Sequence, residues 1–195
     1  MRNFGLKVAL TATVGLLLLS GCGSKKEGPP FTQQCEYAPG VLAPEWYCNP
    51  QVEGGIAAVG EAKPNPGADR NMQRNMAMAN ARDALAQQME VRVKNMLDNW
   101  ARSTGAGEAQ TYEANFESVS RQVSQQTLYG SAQLNRWVAP DGTLVLLVGI
   151  TDQTRISEQI RTSINNDEAL YQQFSAQRAQ EQLQAEIERE FGPRR

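Results

Sequence analysis

Hydrophobic positions along this 195-residue chain fall into stretches of different period. An apolar run from Val8 to Leu19 follows the basic residues Arg2 and Lys7, and at about 12 residues it is too short to span a bilayer. Polar chain with Ser, Lys, Gly and Pro occupies Gly23 to Gln34. Between Gly54 and Lys63, the residues Ile56, Ala57, Ala58, Val59 and Ala62 lie between glycines and the breaker Pro64-Asn65-Pro66-Gly67, which predicts one short strand. From Ala68 to about Arg102 there is no Pro or Gly, and Met78, Ala81, Leu85, Met89, Val93, Met96 and Trp100 recur three or four apart. That spacing predicts a long helix with one apolar face.

Tyr112, Phe116, Val119 and Val123 repeat the period and predict a second helix over 109–126. Two β-rich segments follow, Leu128 to Val138 and Thr143 to Ile150, separated by Ala139-Pro140-Asp141-Gly142. Proline presets φ and glycine accepts positive φ, so this join reads as a hairpin turn. The unbroken apolar second segment predicts a strand buried on both faces in the middle of a sheet. From Thr151 to Phe191 a sparse series, Ile156, Ile160, Ile164, Leu170, Phe174, Leu183 and Ile187, runs through Gln, Glu and Arg. The irregularity at Asn165-Asn166-Asp167 fits two helices or one interrupted helix. The distal part, Gln172 to Glu190, reads as a solvated terminal helix, with a coiled-coil or partner-docking arm as the alternative.

Composition narrows the chemistry. There are 19 basic and 21 acidic side chains and no histidine, a formal charge of −2, which offers no electrostatic grip on a nucleic acid. Without histidine there is no Ser/His/Asp triad, no Cys/His pair and no His-ligated zinc site. Gly55 to Gly60 has the glycine spacing of a phosphate loop, but Glu61 and Ala62 stand where Lys and Ser or Thr are needed. Asp141 and Asp152 read as a turn residue and a helix N-cap rather than an acid/base pair, and Arg82-Asp83 as a solvated face. No catalytic, cofactor or metal site is expected.

The sequence Leu19-Ser20-Gly21-Cys22 at the end of the apolar run resembles the lipobox of bacterial lipoproteins. The resemblance implies that residues 1–21 are a signal peptide and that Cys22 becomes the acylated first residue, carrying a diacylglyceryl group and an N-acyl chain such as palmitate. Several acyl chains anchor stably where one does not. Gly rather than Asp at position 23 directs the expectation to the outer membrane, with its face left open. Without residues 1–21 the chain counts 17 basic against 21 acidic side chains, and residues 22–41 form a tether. The remaining cysteines, Cys35 and Cys48, lie in an oxidising compartment, and an even remainder points to one disulfide.

Five methionines, Met72, Met76, Met78, Met89 and Met96, belong to the long helix. Core packing is the expected role, a Met-lined ligand or peptide groove the alternative. The adjacent aromatics Trp46 and Tyr47 either plug the edge of the core or stand out as contact anchors.

Pro44-Glu45-Trp46-Tyr47, Val59-Gly60-Glu61-Ala62, Ala79-Asn80-Ala81-Arg82-Asp83-Ala84-Leu85-Ala86, and Trp137 ahead of Asp141-Gly142-Thr143-Leu144 occur in an order that resembles the LPP20 lipoprotein family. That family includes surface lipoproteins and flagellar basal-disk lipoproteins. The resemblance covers 42–152 and implies an α+β fold, a small antiparallel sheet packed by long helices, to which 153–195 adds a polar C-terminal helical arm. It also implies no enzymatic activity and a structural or assembly role in the cell envelope, self-associating or flagellum-associated, with copies of itself or envelope proteins as partners. The alternative function is a periplasm-facing ligand- or peptide-binding lipoprotein.

Overall fold

A computed structural model describes residues 34–67, 69–104 and 112–192. The signal segment, Cys22 and most of the tether lie outside the described residues. In chain order, the elements are β1 (Glu36–Ala38), β2 (Val41–Leu42), α1 (Glu45–Cys48), β3 (Ile56–Ala62), α2 (Arg70–Thr104), α3 (Glu113–Leu128), β4 (Ala132–Val138), β5 (Leu144–Ile150), α4 (Gln153–Asn166), α5 (Glu168–Phe174) and α6 (Gln177–Phe191). The fold is α+β, and both sheets are antiparallel.

The Pro64-Asn65-Pro66-Gly67 break sets up the start of α2. Asn65 Oδ1 accepts from the Asp69 amide at 3.0 Å, and Asp69 Oδ1 in turn accepts from the amides of Asn71 (2.8 Å) and Met72 (3.2 Å). Two first-turn amides that have no helical partner are thereby capped. The helix then continues for 35 residues, about 52 Å at the standard rise.

The larger sheet has the order β3-β5-β4, so the apolar strand β5 is central, as its sequence predicts. Its register pairs Gly60 with Leu146 and Glu61 with Val145 on one side, and Trp137 with Val145 on the other. The hairpin between β4 and β5 turns at Pro140-Asp141, with Gly142 at φ 82°. Gly142 donates to the Ala139 carbonyl at 2.8 Å and Ala139 to that of Thr143 at 2.9 Å, a tight turn closed by a left-handed residue. The segment from Leu128 is shorter as a strand than its sequence suggests, because α3 runs through Leu128 and pairing begins at Ala132. β4 is an edge strand whose register shifts between Gln133 and Asn135, and the Arg136 amide donates to the Asn135 side chain at 2.8 Å.

Helix α2 serves two cores. Its first half carries Ala77 and Ala81 over the sheet, packed with Ala62, Leu146 and Val148. There the approach is set by backbone: a Cβ on Gly60 would lie 2.2 Å from the Ala77 oxygen and 2.2 Å from the Ala81 nitrogen. Asn80 and Gln73 add side-chain amide bonds to the β3 carbonyls of Glu61 (2.7 Å) and Ala62 (3.0 Å). The second half carries Leu85, Met89, Val93, Met96, Leu97 and Trp100 into a core shared with α3, α4 and α6.

The irregular Asn165-Asn166-Asp167 resolves into two helices. Asp167 ends α4 and caps α5, accepting from the Leu170 amide at 3.1 Å while Asn115 of α3 donates to both of its oxygens. The segment expected as a solvated terminal helix is instead packed. Ala179, Leu183, Ile187 and Phe191 form a narrow stripe on α6 that is buried in the main core. The stripe repeats every four positions among long polar side chains, so the apolar edge of the helix is removed from water while its opposite face stays polar.

Candidate functional site

Two neighbourhoods concentrate the residues that the sequence singles out. The first is a disulfide-closed lasso. Cys35 and Cys48 are bonded, with Cα atoms 5.8 Å apart and a sequence separation of 13. Inside the loop, β1 and β2 form a short hairpin through Gly40 at φ 75°, and Ala43 donates to the Cys35 carbonyl at 2.9 Å. These strands of three and two residues carry no sequence signal, since the cross-link rather than propensity holds them.

The lasso rests on the sheet through aromatic rings. Tyr37 meets Trp137 of β4 edge to face at 5.5 Å, Tyr47 meets Tyr37 at 5.8 Å, and Tyr47 and Trp137 lie 6.2 Å apart. Such pairs favour this geometry because a positive ring edge faces a negative π surface. The Tyr37 hydroxyl donates to Asp141 Oδ2 at 3.0 Å, and Asp141 also accepts from the amide and the hydroxyl of Thr143. One carboxylate thus joins the lasso to the hairpin turn. The Thr143 amide bond, first, holds the Asp141 pKa below its ordinary value. The Tyr47 pKa is pushed up to about 12, by desolvation first and then by the facing Glu61 carboxylate. Tyr47 therefore remains a neutral phenol between β3 and β4.

Both Trp46 and Tyr47 are half-buried. Tyr47 turns its ring to the cluster on β4. Asp141 and Asp152 stand at opposite ends of β5, roughly 20 Å apart at the strand rise. Asp152 caps α4, accepting from the Arg155 amide at 3.0 Å. Arg82 donates to the Ser131 hydroxyl at 3.1 Å and Asp83 is exposed. The glycine run from Gly55 to Gly60 leads into β3, where Gly60 serves helix packing. Met89 and Met96 are buried in the core, whereas Met72 and Met76 are exposed.

The second neighbourhood was not visible in the sequence. A cleft of about 570 Å³ opens between residues 49–57, α2, the start of α4 and the end of α6. None of its lining residues is a methionine. At its edge Arg92 of α2 forms an ion pair with Glu190 at 2.6 Å, donates to the Glu190 carbonyl, and lies 4.9 Å over the Phe191 ring. Among the described residues no group of three Cys, Asp or Glu side chains is placed to hold a metal ion, and no helix is long and apolar enough to cross a membrane.

Comparison with known proteins gives one assignment: residues 44–151 match the family described as LPP20 lipoprotein. The match runs from Pro44 inside the lasso, through β3, α2, α3, β4 and β5, to Thr151, and stops short of α4 to α6. No curated protein matches the chain.

Proposed function

This chain belongs to the LPP20 lipoprotein family, and from that premise we propose that it is an outer-membrane lipoprotein, held by lipid on Cys22, with a structural or assembly role in the cell envelope. It acts through contacts with copies of itself or with envelope proteins rather than by catalysis.

The observation that carries this reading is the joint between tether and domain. The first described residues are tied into a loop by Cys35–Cys48, and the loop is fastened to β4 and its turn by Tyr37, Tyr47, Trp137 and Asp141. Tension on a lipid-anchored tether would enter the domain at Cys35. The covalent loop and the aromatic cluster would pass it to the sheet instead of peeling the chain away. Such reinforcement suits a protein that must keep its position in an assembly. The half-buried Trp46 beside the joint offers an aromatic surface at the same place.

The test combines labelling, fractionation and crosslinking in cells. Palmitate label should enter the wild-type protein and not Cys22→Ala, the label should sediment with outer membrane on a density gradient, and crosslinking should capture oligomers or an envelope partner. Inner-membrane sedimentation would overturn the location, and absence of any crosslinked species at native expression would overturn the assembly role.

A further inference from the structure

We propose that the cleft between residues 49–57 and the end of α6 is a binding site for a neutral, hydroxyl-rich glycan chain. Its volume, about 570 Å³, suits a ligand of two or three sugar rings or a drug-sized molecule. The lining chemistry selects among such ligands. Four residues with carboxamide side chains line it, Asn49, Gln51, Gln88 and Gln153, from three separate stretches of chain. Among the described residues their side chains have no hydrogen-bonding partner of their own. Each carboxamide presents an acceptor oxygen beside two donor hydrogens, which complements the paired hydroxyls of a pyranose and the acetamido group of an N-acetylated sugar.

Charge argues in the same direction. The cleft's one cation, Arg92, is paired with Glu190 and lies over the Phe191 ring, so its charge is offset before any phosphate or carboxylate meets it. The other ionisable lining residue is Glu53, which repels anions. Pro50 and Val52 supply the apolar patch that the C–H face of a sugar ring covers. The wall is also held in place: residues 49–55 run from the disulfide at Cys48 into β3, and Gly54 at φ 70° sets its backbone beside the Gln153 carboxamide. A wall that is already ordered loses little entropy when a ligand settles on it.

The proposal does not depend on the assembly role and is tested separately. Full-length lipidated protein in detergent micelles is titrated with N-acetylglucosamine tetramer by calorimetry, with saturation-transfer NMR marking the bound face. Saturable binding is expected at micromolar to millimolar concentrations. The double variant Gln88→Ala/Gln153→Ala should weaken it about tenfold with its melting temperature unchanged, while Glu117→Ala, far from the cleft, should bind as wild type. No saturation by about 10 mM, affinity unchanged in the double variant, or competition by inorganic phosphate would each overturn the proposal. So would tighter binding of an unstructured alanine-rich peptide at the same residues.

Discussion

The indole N–H of Trp100 donates to the carbonyl of Ala179 at 2.9 Å in a fully buried contact, binding the long helix α2 to the first turn of α6. The bond joins residues 79 positions apart and fixes where the C-terminal helix begins. Trp100→Phe removes the donor, leaves the Ala179 oxygen short of a partner and opens space beside it. A loss of about 1–3 kcal/mol is expected, measured by urea denaturation, with an unchanged slope if α6 stays docked.

Gly60 is held by steric necessity. Gly60→Ala should destabilise the domain by about 1–3 kcal/mol, because the added methyl meets the α2 backbone at Ala77 and Ala81 and the helix must move as a unit. Gly67→Ala is the matched control, since the nearest atom to its Cβ is the Asn65 side-chain oxygen at 3.5 Å. Its thermal midpoint should stay close to that of wild type.

Opening the lasso should loosen the aromatic cluster before the core. Cys35→Ser/Cys48→Ser, or reduction with a dithiol, is expected to lower stability by about 3 kcal/mol on the chain-entropy estimate for a loop of this size. Tryptophan emission should shift to the red through Trp46 and Trp137 while the buried Trp100 signal persists.

Alkaline titration isolates Tyr47. Its folded-state pKa, about 12, lies above the ordinary 10.0, so the folded state holds the phenolic proton more tightly than the unfolded chain. The associated stability is fully present below pH 10 and is lost as pH rises towards 12. Tyr47→Phe should flatten that part of the stability profile. The same fall in the variant would refute the assignment.

Asp141 gives the opposite sign. Its folded-state pKa lies below the ordinary 3.8, so its contribution is present above that pH and disappears as pH falls through the folded-state value. Asp141→Asn should remove this acid sensitivity, and Tyr37→Phe should remove part of it by breaking the bond between lasso and turn. Both are read from denaturation midpoints between pH 2 and 5, about the range in which carboxylates titrate.

Periodicity and turn chemistry made most of the sheet-and-helix framework legible. β3 is announced by small residues between breakers, α2 by apolar residues three and four apart, and the β4–β5 hairpin by Pro140-Asp141-Gly142. The burial of α6 is hidden in the sequence because Ala179, Leu183, Ile187 and Phe191 are outnumbered on their own helix, and the core that receives them, Trp100 included, is assembled from distant helices. Cys35 and Cys48 suggested a staple, but Tyr37 reaches Asp141 across 104 positions, a separation at which local pattern carries no information. The cleft is farther still from any motif. Its lining residues lie on stretches that meet only after folding, and Asn and Gln give no local pattern in a sequence.

The irregular edge of β4 bears on life at a membrane. Lipid anchoring confines copies of a protein to two dimensions, where neighbours collide far more often than free molecules at the same cellular abundance. A flat, open strand edge in that setting would zip copies together without regard to partner. The register shift at Gln133–Asn135 and the Arg136 amide turned onto the Asn135 side chain interrupt the hydrogen-bonding row of β4, so this edge is a poor template for such zipping.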